Sequence, residues 1–346
     1  MRNGGNVLWA LAICLGPCAM QAQETSHQYE ILRRIHLPES TGWDYLSIES
    51  ATGRLFVSRG TMVQVADVAS GRLLGTIPDT KGVHGIAIAS DLGKGFISDG
   101  ADSSVTVFDL PTLKVTANIT VTGRNPDAIL YDPYTQRVFT GNGRSSNVTV
   151  IDAKSDKVLG TIPLSGKPEF AVTDGNGRIY FNIEDKSMVA EIDPEAMKVG
   201  HTWPTAPGEG PSGLAIDTKN HRLFSVCGNK LMVVLNAENG KVVASLPIGG
   251  RVDGAAFDPG LMRAYSSNGE GTLTVVQELT AGSFKVVENL PTELGARTIT
   301  VDPKTHHLYL PTAEFGPAPA PTAENPRPRP TIKPDSFVVL EVAPRK

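Results

Sequence analysis

Seven polar residues recur along this 346-residue chain at nearly even spacing: Asp44, His84, Asp127, Glu169, Ser212, Asp253 and Arg297. Most are followed by an apolar or small run, as in "AIL", "FAV" and "GLA". Six of the seven are ionisable, which a packed core does not require. If a fold gathers them, several chemistries become available. His84, Asp127 and Glu169 come from three consecutive units and form a contiguous His–carboxylate–carboxylate arc. Carboxylate oxygens with one imidazole suit a divalent metal such as Ca²⁺, Mn²⁺ or Zn²⁺. The same arc can bind a polar small molecule or supply an acid–base pair. Arg297 falls between Asp253 and Asp44 once such a ring closes, so these three can neutralise one another. Trp43, beside Asp44, offers an aromatic wall or packs as a structural residue. The plain alternative for the whole set is a wet channel mouth whose polar side chains are simply solvated.

Other candidate motifs fail on context. "GEGPSG", Gly208 to Gly213, satisfies G-x-G-x-x-G, but it carries Pro211 and leads into a strand pattern, where a dinucleotide fingerprint needs a helix. "GNGRSS" lacks the lysine of a phosphate loop. His306 and His307 are adjacent, so in a strand they face opposite ways and cannot chelate together. There is no HExxH, no paired CxxC and no CxxCH. Cys227, in "SVCGNK", has no identifiable neighbouring base and reads as a small buried thiol.

The elements that must position the ring come from a repeat. An aromatic residue recurs in strands like "RLFVS": Phe56, Phe96, Phe139, Tyr180, Phe224, Tyr265 and Tyr309. Their spacing stays near about 42 residues, the length of one four-stranded propeller blade. Asp67, Asp109, Asp152, Asp193 and Asn236 keep the same beat, each opening a turn whose backbone it can bond. Each unit reads as four strands, with the seven polar residues where the innermost strand enters a central channel. The fold class is therefore all-β, a seven-bladed β-propeller. The last unit, "ARTITVDP…HHLYLPT…SFVVLEVAPRK", supplies three strands and stops. "YEILRRIHL", Tyr29 to Leu37, is the missing fourth; it pairs beside Phe337–Val342 and closes the ring. The B–C loops "SDGADS", "GNGRSS", "IEDKS", "CGNK" and "SNGEG" share the face of the polar ring, where loops on a rigid scaffold carry binding.

Composition agrees. The chain has 35 Gly, 25 Pro and only 20% charged residues, which favours short strands and turns. A net charge of −4 without a basic stripe does not favour nucleic acid as a partner. Residues 1–22 read as a cleaved secretory signal: Arg2, the apolar run Val7–Leu15, and small residues up to Ala22. No membrane span then remains, and Cys227 is left as a single thiol, so no internal disulfide is available. Residues 23–346 form one propeller domain. The Pro-rich insertion at about 313–336 in the last blade excludes regular helix or sheet and must be an extended loop.

At "VTVIDAKSDKVLGTIPLSGKPEFAV" and its echoes "VTVFDLPTLKVTANITV" and "NAENGKVVASLPIGG", the chain resembles the YncE-like family of secreted seven-bladed propellers with YVTN-type repeats. The resemblance covers roughly residues 28 to 346, although "LFVSR", "VFTGN" and "IYFNI" stand where YVTN would. It implies a propeller but leaves the activity open, since such propellers include binding proteins, lyases, lactonases and redox-enzyme subunits. The leading expectation is a periplasmic or secreted, monomeric, non-enzymatic binding protein. It presents the channel mouth to a small polar ligand or a protein partner. A metal-assisted lyase or lactonase using His84, Asp127 and Glu169 is the alternative, and an accessory subunit docking a redox partner is a third.

Overall fold

In the computed structural model the described residues are 1, 28–39, 41–322, 328 and 330–345. The secretory-signal expectation at residues 1–22 thus falls almost wholly outside them. The described residues form seven four-stranded antiparallel sheets arranged as propeller blades. The inner strands are Leu46–Glu49, Val83–Ala89, Pro126–Asp132, Pro168–Thr173, Pro211–Asp217, Val252–Asp258 and Thr300–Asp302. We number blades one to seven in that order.

Burial along each blade follows its sequence. The two middle strands are sandwiched between neighbouring blades, so both of their faces are covered and they are almost wholly buried, as in Arg137–Asn142 and Asn147–Asp152. The outer strand has one face in water and alternates, as in Lys157–Pro163. All seven marker aromatics lie at 2% exposure or less, in apolar clusters that span adjacent blades. Phe56 packs 5.8 Å from Phe108, and Phe224 stacks 5.2 Å from Phe257.

The acidic turn residues do what their position requires. Asp67, Asp109, Asp152 and Asp193 accept hydrogen bonds from the backbone N–H of Ser70, Thr112, Ser155 and Ala196, and Asn236 accepts from Glu238. A second, unanticipated set ends the inner strands. Asp132, Asp217, Asp258 and Asp302 are buried and accept from the N–H of Thr135, Lys219, Gly260 and Lys304. His306 and His307 belong to this end of the blades. His306 Nδ1 lies 2.7 Å from Asp258 Oδ2, and His307 Nδ1 lies 2.7 Å from Glu341 Oε1, so both are tied to separate carboxyls of the scaffold.

The ring closes through the two ends of the chain. Tyr29–His36 pairs antiparallel with Val338–Pro344, from Tyr29 opposite Pro344 to His36 opposite Val338. It completes blade seven as its outermost strand.

The Pro-rich insertion is pinned at its base. Phe315 and Ile332 form a single β-bridge, and the Gly316 and Lys333 N–H groups donate to the Thr331 and Glu314 carbonyls at 2.8 and 2.9 Å. Phe315 packs 5.9 Å from Trp43, and Ile332 joins the apolar cluster around Trp43 and Phe337. Replacing residues 318–329 by a short Gly/Ser linker should therefore leave the thermal midpoint unchanged. Phe315→Ala should lower stability by about 1–2 kcal/mol, less than a fully buried phenylalanine costs. Calorimetric melts of both proteins check this. A large loss on trimming 318–329 would mean that the tip is packed structure.

Candidate functional site

The polar ring owes most of its members to a break at the same place in five of the seven inner strands. His84, Asp127, Glu169, Ser212 and Asp253 are each the second residue of their strand. In all five blades the register with the next strand slips at that point, between Val83 and Ile86, Pro126 and Ile129, Pro168 and Ala171, Pro211 and Leu214, and Val252 and Gly254. Such bulges re-aim a side chain that a regular ladder would hold flat against the sheet.

Polar residues from the strands behind hold the loosened backbone. Ser98 Oγ donates to the Asp127 carbonyl at 2.6 Å, Asn182 Nδ2 to the Ser212 carbonyl at 2.8 Å, and Ser267 Oγ to the Arg297 carbonyl at 2.5 Å. Thr298 Oγ1 donates to the Asp44 carbonyl at 2.7 Å. Three of these bonds run forward from one blade to the next, and that of Thr298 from the last blade to the first. Gly213 and Gly254 let the inner strands approach. A Cβ on Gly213 would lie 2.5 Å from Ala255 N, and one on Gly254 would lie 2.9 Å from Ile299 N.

The side chains form a chain of alternating acidic and basic groups around a cavity of about 600 Å³. Arg297 Nε donates to Asp253 Oδ2 at 2.6 Å, and its Nη2 lies 3.3 Å from Asp44 Oδ1. Asp44 Oδ2 lies 2.6 Å from His84 Nδ1, which is 3.5 Å from Asp127 Oδ1. Glu169 stands apart from this chain, with its Oε2 2.7 Å from Lys167 Nζ. Lys167 also reaches Glu184 Oε2 at 2.6 Å. The neutralisation expected of Arg297, Asp253 and Asp44 is thus the geometry found.

The His84–Asp127–Glu169 arc differs from expectation. His84 and Asp127 meet, but the carboxylate nearest the imidazole is Asp44, and Lys167 draws Glu169 into a separate pair. Among the described residues, the group whose ligand atoms all lie within 4.8 Å of one another is Asp44, His84 and Asp127. Blade one flanks blade two on one side as blade three does on the other, so Asp44 competes for the same imidazole. Ser212 is buried, donates from Oγ to the Val252 carbonyl at 3.3 Å, and does not line the cavity. Trp43 does line it, packing 5.3 Å from Phe337, and its buried Nε1 has no acceptor among the described residues. Cys227 is fully buried, and burial pushes its thiol up to about 11, consistent with an inert residue. Gly208–Gly213 leads into the strand Pro211–Asp217, so no helix meets the dinucleotide fingerprint there.

Burial raises the proton affinity of the carboxyls. It pushes Asp127 up to about 8, with Asp44 and Glu169 adding to the effect and His84 opposing it. Glu169 is pushed by burial up to about 7 against its bond to Lys167. Asp253 is raised to about 6 by burial and by Asp44, against Arg297. For His84, burial opposes the charge, yet the Asp44 hydrogen bond and the Asp127 charge lift the imidazole above its usual value.

Three contributors were not anticipated. Tyr45 is buried, lines the cavity and packs 4.9 Å from Phe170. Burial, then the charges of Asp253, Asp44, Asp127 and Glu169, raise its phenol well above the ordinary value, which places it among the carboxyls. A signal was present in the sequence, since an aromatic residue directly follows both Asp44 and Glu169. Lys167 and Phe315 are the other two.

No protein-family model matches the chain, and no curated protein matches its sequence. Among solved structures, it is similar to a chain of Kuenenia stuttgartiensis hydrazine synthase, with 16% identity over 80% of this chain and 94% of that one, at a TM-score of 0.70. It is also similar to U3-55K, with 10% identity over 90% of this chain and 98% of that one, at a TM-score of 0.74. The WD40 repeats of RRP9 match at 10% identity over 92% and 98% of the two chains, also at 0.74. The shared feature is the propeller. At these identities the likeness extends to the fold and no further.

Proposed function

We propose that this propeller is a ligand-binding protein whose channel mouth takes a small polar ligand through a cationic group. The observation that carries this reading is the set of three carboxyls, Asp127, Glu169 and Asp253, lining one cavity with proton affinities raised to about 8, 7 and 6. Buried carboxyls that hold protons near neutral pH are sites where a cation would replace those protons favourably. Tyr45, Trp43 and Phe315 supply an aromatic wall on which an organic cation can rest. The resemblance of the repeat motifs to those of the YncE-like family supports a binding propeller, and the apolar run Val7–Leu15 with its small-residue sequel supports a periplasmic or secreted location.

Binding should release protons. A cationic group needs ionised carboxylates, so affinity should rise as pH increases from about 6 to about 8, the range of the three raised values. Calorimetric titration of the chelator-washed protein in buffers of different ionisation enthalpy measures both quantities. Suitable probes are ethanolamine as an organic cation and Ca²⁺, Mn²⁺ and Zn²⁺ as metals. The reading fails if no probe gives saturable binding at pH 8, or if Asp127→Asn with Glu169→Gln leaves binding unchanged.

A second reading has its own observation. Asp44, His84 and Asp127 offer two carboxylates and one imidazole within 4.8 Å, a donor set suited to Mn²⁺ or Zn²⁺. A divalent metal there would support lyase or lactonase chemistry. Stoichiometric metal in elemental analysis of the purified protein, lost in Asp44→Asn, would favour it over the organic cation.

A further inference from the structure

Beside the acidic cavity, on the other side of His84, lies a pocket of opposite character. It holds about 500 Å³ and is lined by His84, Ser103, Arg124, Asn125 and Arg144 with three small residues. It lies between blades two and three, and two loops of blade three supply its arginines. The Gly143 N–H donates to the Asn125 carbonyl at 2.9 Å, and the Arg144 N–H to the Arg124 carbonyl at 3.2 Å. This short ladder sets the two arginines on facing backbones. Asn125 has φ of 58°, and this left-handed residue turns the chain from Arg124 into the inner strand.

The same loop ladder recurs elsewhere with different charges. In blade two, Ala101 N–H donates to the Lys81 carbonyl at 3.2 Å, and Lys81 Nζ pairs with Asp102 at 3.2 Å. In blade six, Glu270 N–H donates to the Gly250 carbonyl at 3.3 Å, and Glu270 pairs with Lys230 at 3.7 Å. Blade three places two cations at the equivalent sites. Among the described residues, neither guanidinium has a hydrogen bond or an ion pair with the protein, and the Ser103 hydroxyl and Asn125 amide make none either. Like charges held side by side without a counter-charge repel unless an anion joins them.

His84 completes the set. Its Nδ1 faces Asp44 and Asp127, which leaves Nε2 as the nitrogen turned away from the acidic cavity. Its Nε2 has no protein partner among the described residues and sits against Gly100, where a Cβ would come within 2.6 Å of it. Gly100 also lines the pocket, so the small residue there leaves that nitrogen room.

We propose that Arg124, Arg144 and the Nε2 side of His84 form an oxyanion-binding subsite, for a carboxylate or a phosphate, distinct from the acidic cavity. Planar guanidinium forks match both groups through paired N–H donors, and Ser103 and Asn125 add neutral donors. Two arginines in a chain of net charge −4 do not make the extended basic stripe that nucleic acid needs. A ligand that also reaches the acidic cavity past His84 would carry charges of both signs.

The test uses the full mature chain with inorganic phosphate and acetate as probes and chloride as the control, all at equal ionic strength. Phosphate should raise the thermal midpoint saturably and bind in calorimetry. Arg124→Ala with Arg144→Ala should weaken phosphate at least about tenfold, as loss of charged hydrogen bonds does. Both side chains are exposed, so the fold should survive, and an unchanged melt in chloride verifies it. Lys157→Ala on an outer strand should leave phosphate binding intact. Acetate binding with no phosphate binding would assign the subsite to carboxylates, and the converse to phosphates. No saturable effect of either anion over chloride overturns the proposal, and so does parental affinity in the double arginine variant. Glu169→Gln separates this site from the cation site. It should weaken ethanolamine and leave phosphate binding within about twofold.

Discussion

A chain lacking residues 23–37 is expected to lose its cooperative melt, or to melt far below the intact protein. Tyr29–His36 is an outer strand in position only. Tyr29 is wholly buried, and Ile35 and Leu37 are nearly so. At about 1.5–3 kcal/mol for each fully buried large side chain, their loss is comparable to the whole stability of an ordinary domain. The strand also ties three blades together. The Tyr29 hydroxyl lies 2.8 Å from that of Tyr265 and accepts from Arg263 Nη1 at 2.9 Å, both in blade six. Arg33 pairs with Glu341 in blade seven and donates to the Val68 carbonyl in blade one. Removing the strand exposes the edge Val338–Pro344 together with this seam. Circular dichroism melts of the truncated protein measure the effect, and adding a synthetic peptide of residues 28–39 should restore part of it by strand addition. An unchanged midpoint would show that the ring is held without this strand.

The fold was legible because its signals repeat. One "RLFVS" strand proves little, but seven aromatic markers on one beat, with a lone strand at the start of the series and a three-stranded unit at its end, leave a closed ring as the consistent arrangement. The position of the site was legible for the same reason, since equivalent residues of a repeat occupy equivalent places. Its pairing was not. Whether His84 turns to Asp44 or to Glu169 depends on side-chain directions set by the bulges and on Lys167, two residues before Glu169. Spacing carries neither. Ser212 misled because a hydroxyl at a ring position can bond the next blade's carbonyl as readily as it can face the channel. The arginine pair of blade three was hidden differently. "GNGRSS" and "VTGRNP" stand about 20 residues apart and look unremarkable until the loop ladder sets them side by side.

The raised carboxyls should also be visible in the pH dependence of stability. Asp127, Glu169 and Asp253 hold protons in the folded protein up to about pH 8, 7 and 6, whereas in the unfolded chain they release them near pH 4. Between those limits the folded state binds more protons, so raising the pH favours unfolding. His84 acts in the same direction. Its imidazole is lifted above the usual value, so its contribution is present below its unfolded value and is lost as pH rises through the folded one. The turn residues Asp67, Asp109 and Asp152 oppose this only on the acid side. Hydrogen bonds from their turns lower their proton affinity, so what they contribute is lost as pH falls below about 4. Stability of the unliganded protein should therefore peak on the acid side of neutral and decline towards pH 8.5. Asp127→Asn removes the group with the highest raised value while keeping its shape. The variant should match the parent near pH 5 and exceed it at pH 8.5 by a few kcal/mol, at about 1.4 kcal/mol per tenfold change in proton affinity. Its affinity for a cationic probe should fall at the same time. Chemical denaturation of chelator-washed parent and variant at pH 5, 7 and 8.5 separates a binding role from a structural one. Parallel curves, or a variant weaker than the parent at pH 8.5, would make Asp127 a structural partner of His84 and would remove the basis for a cation site at the channel mouth.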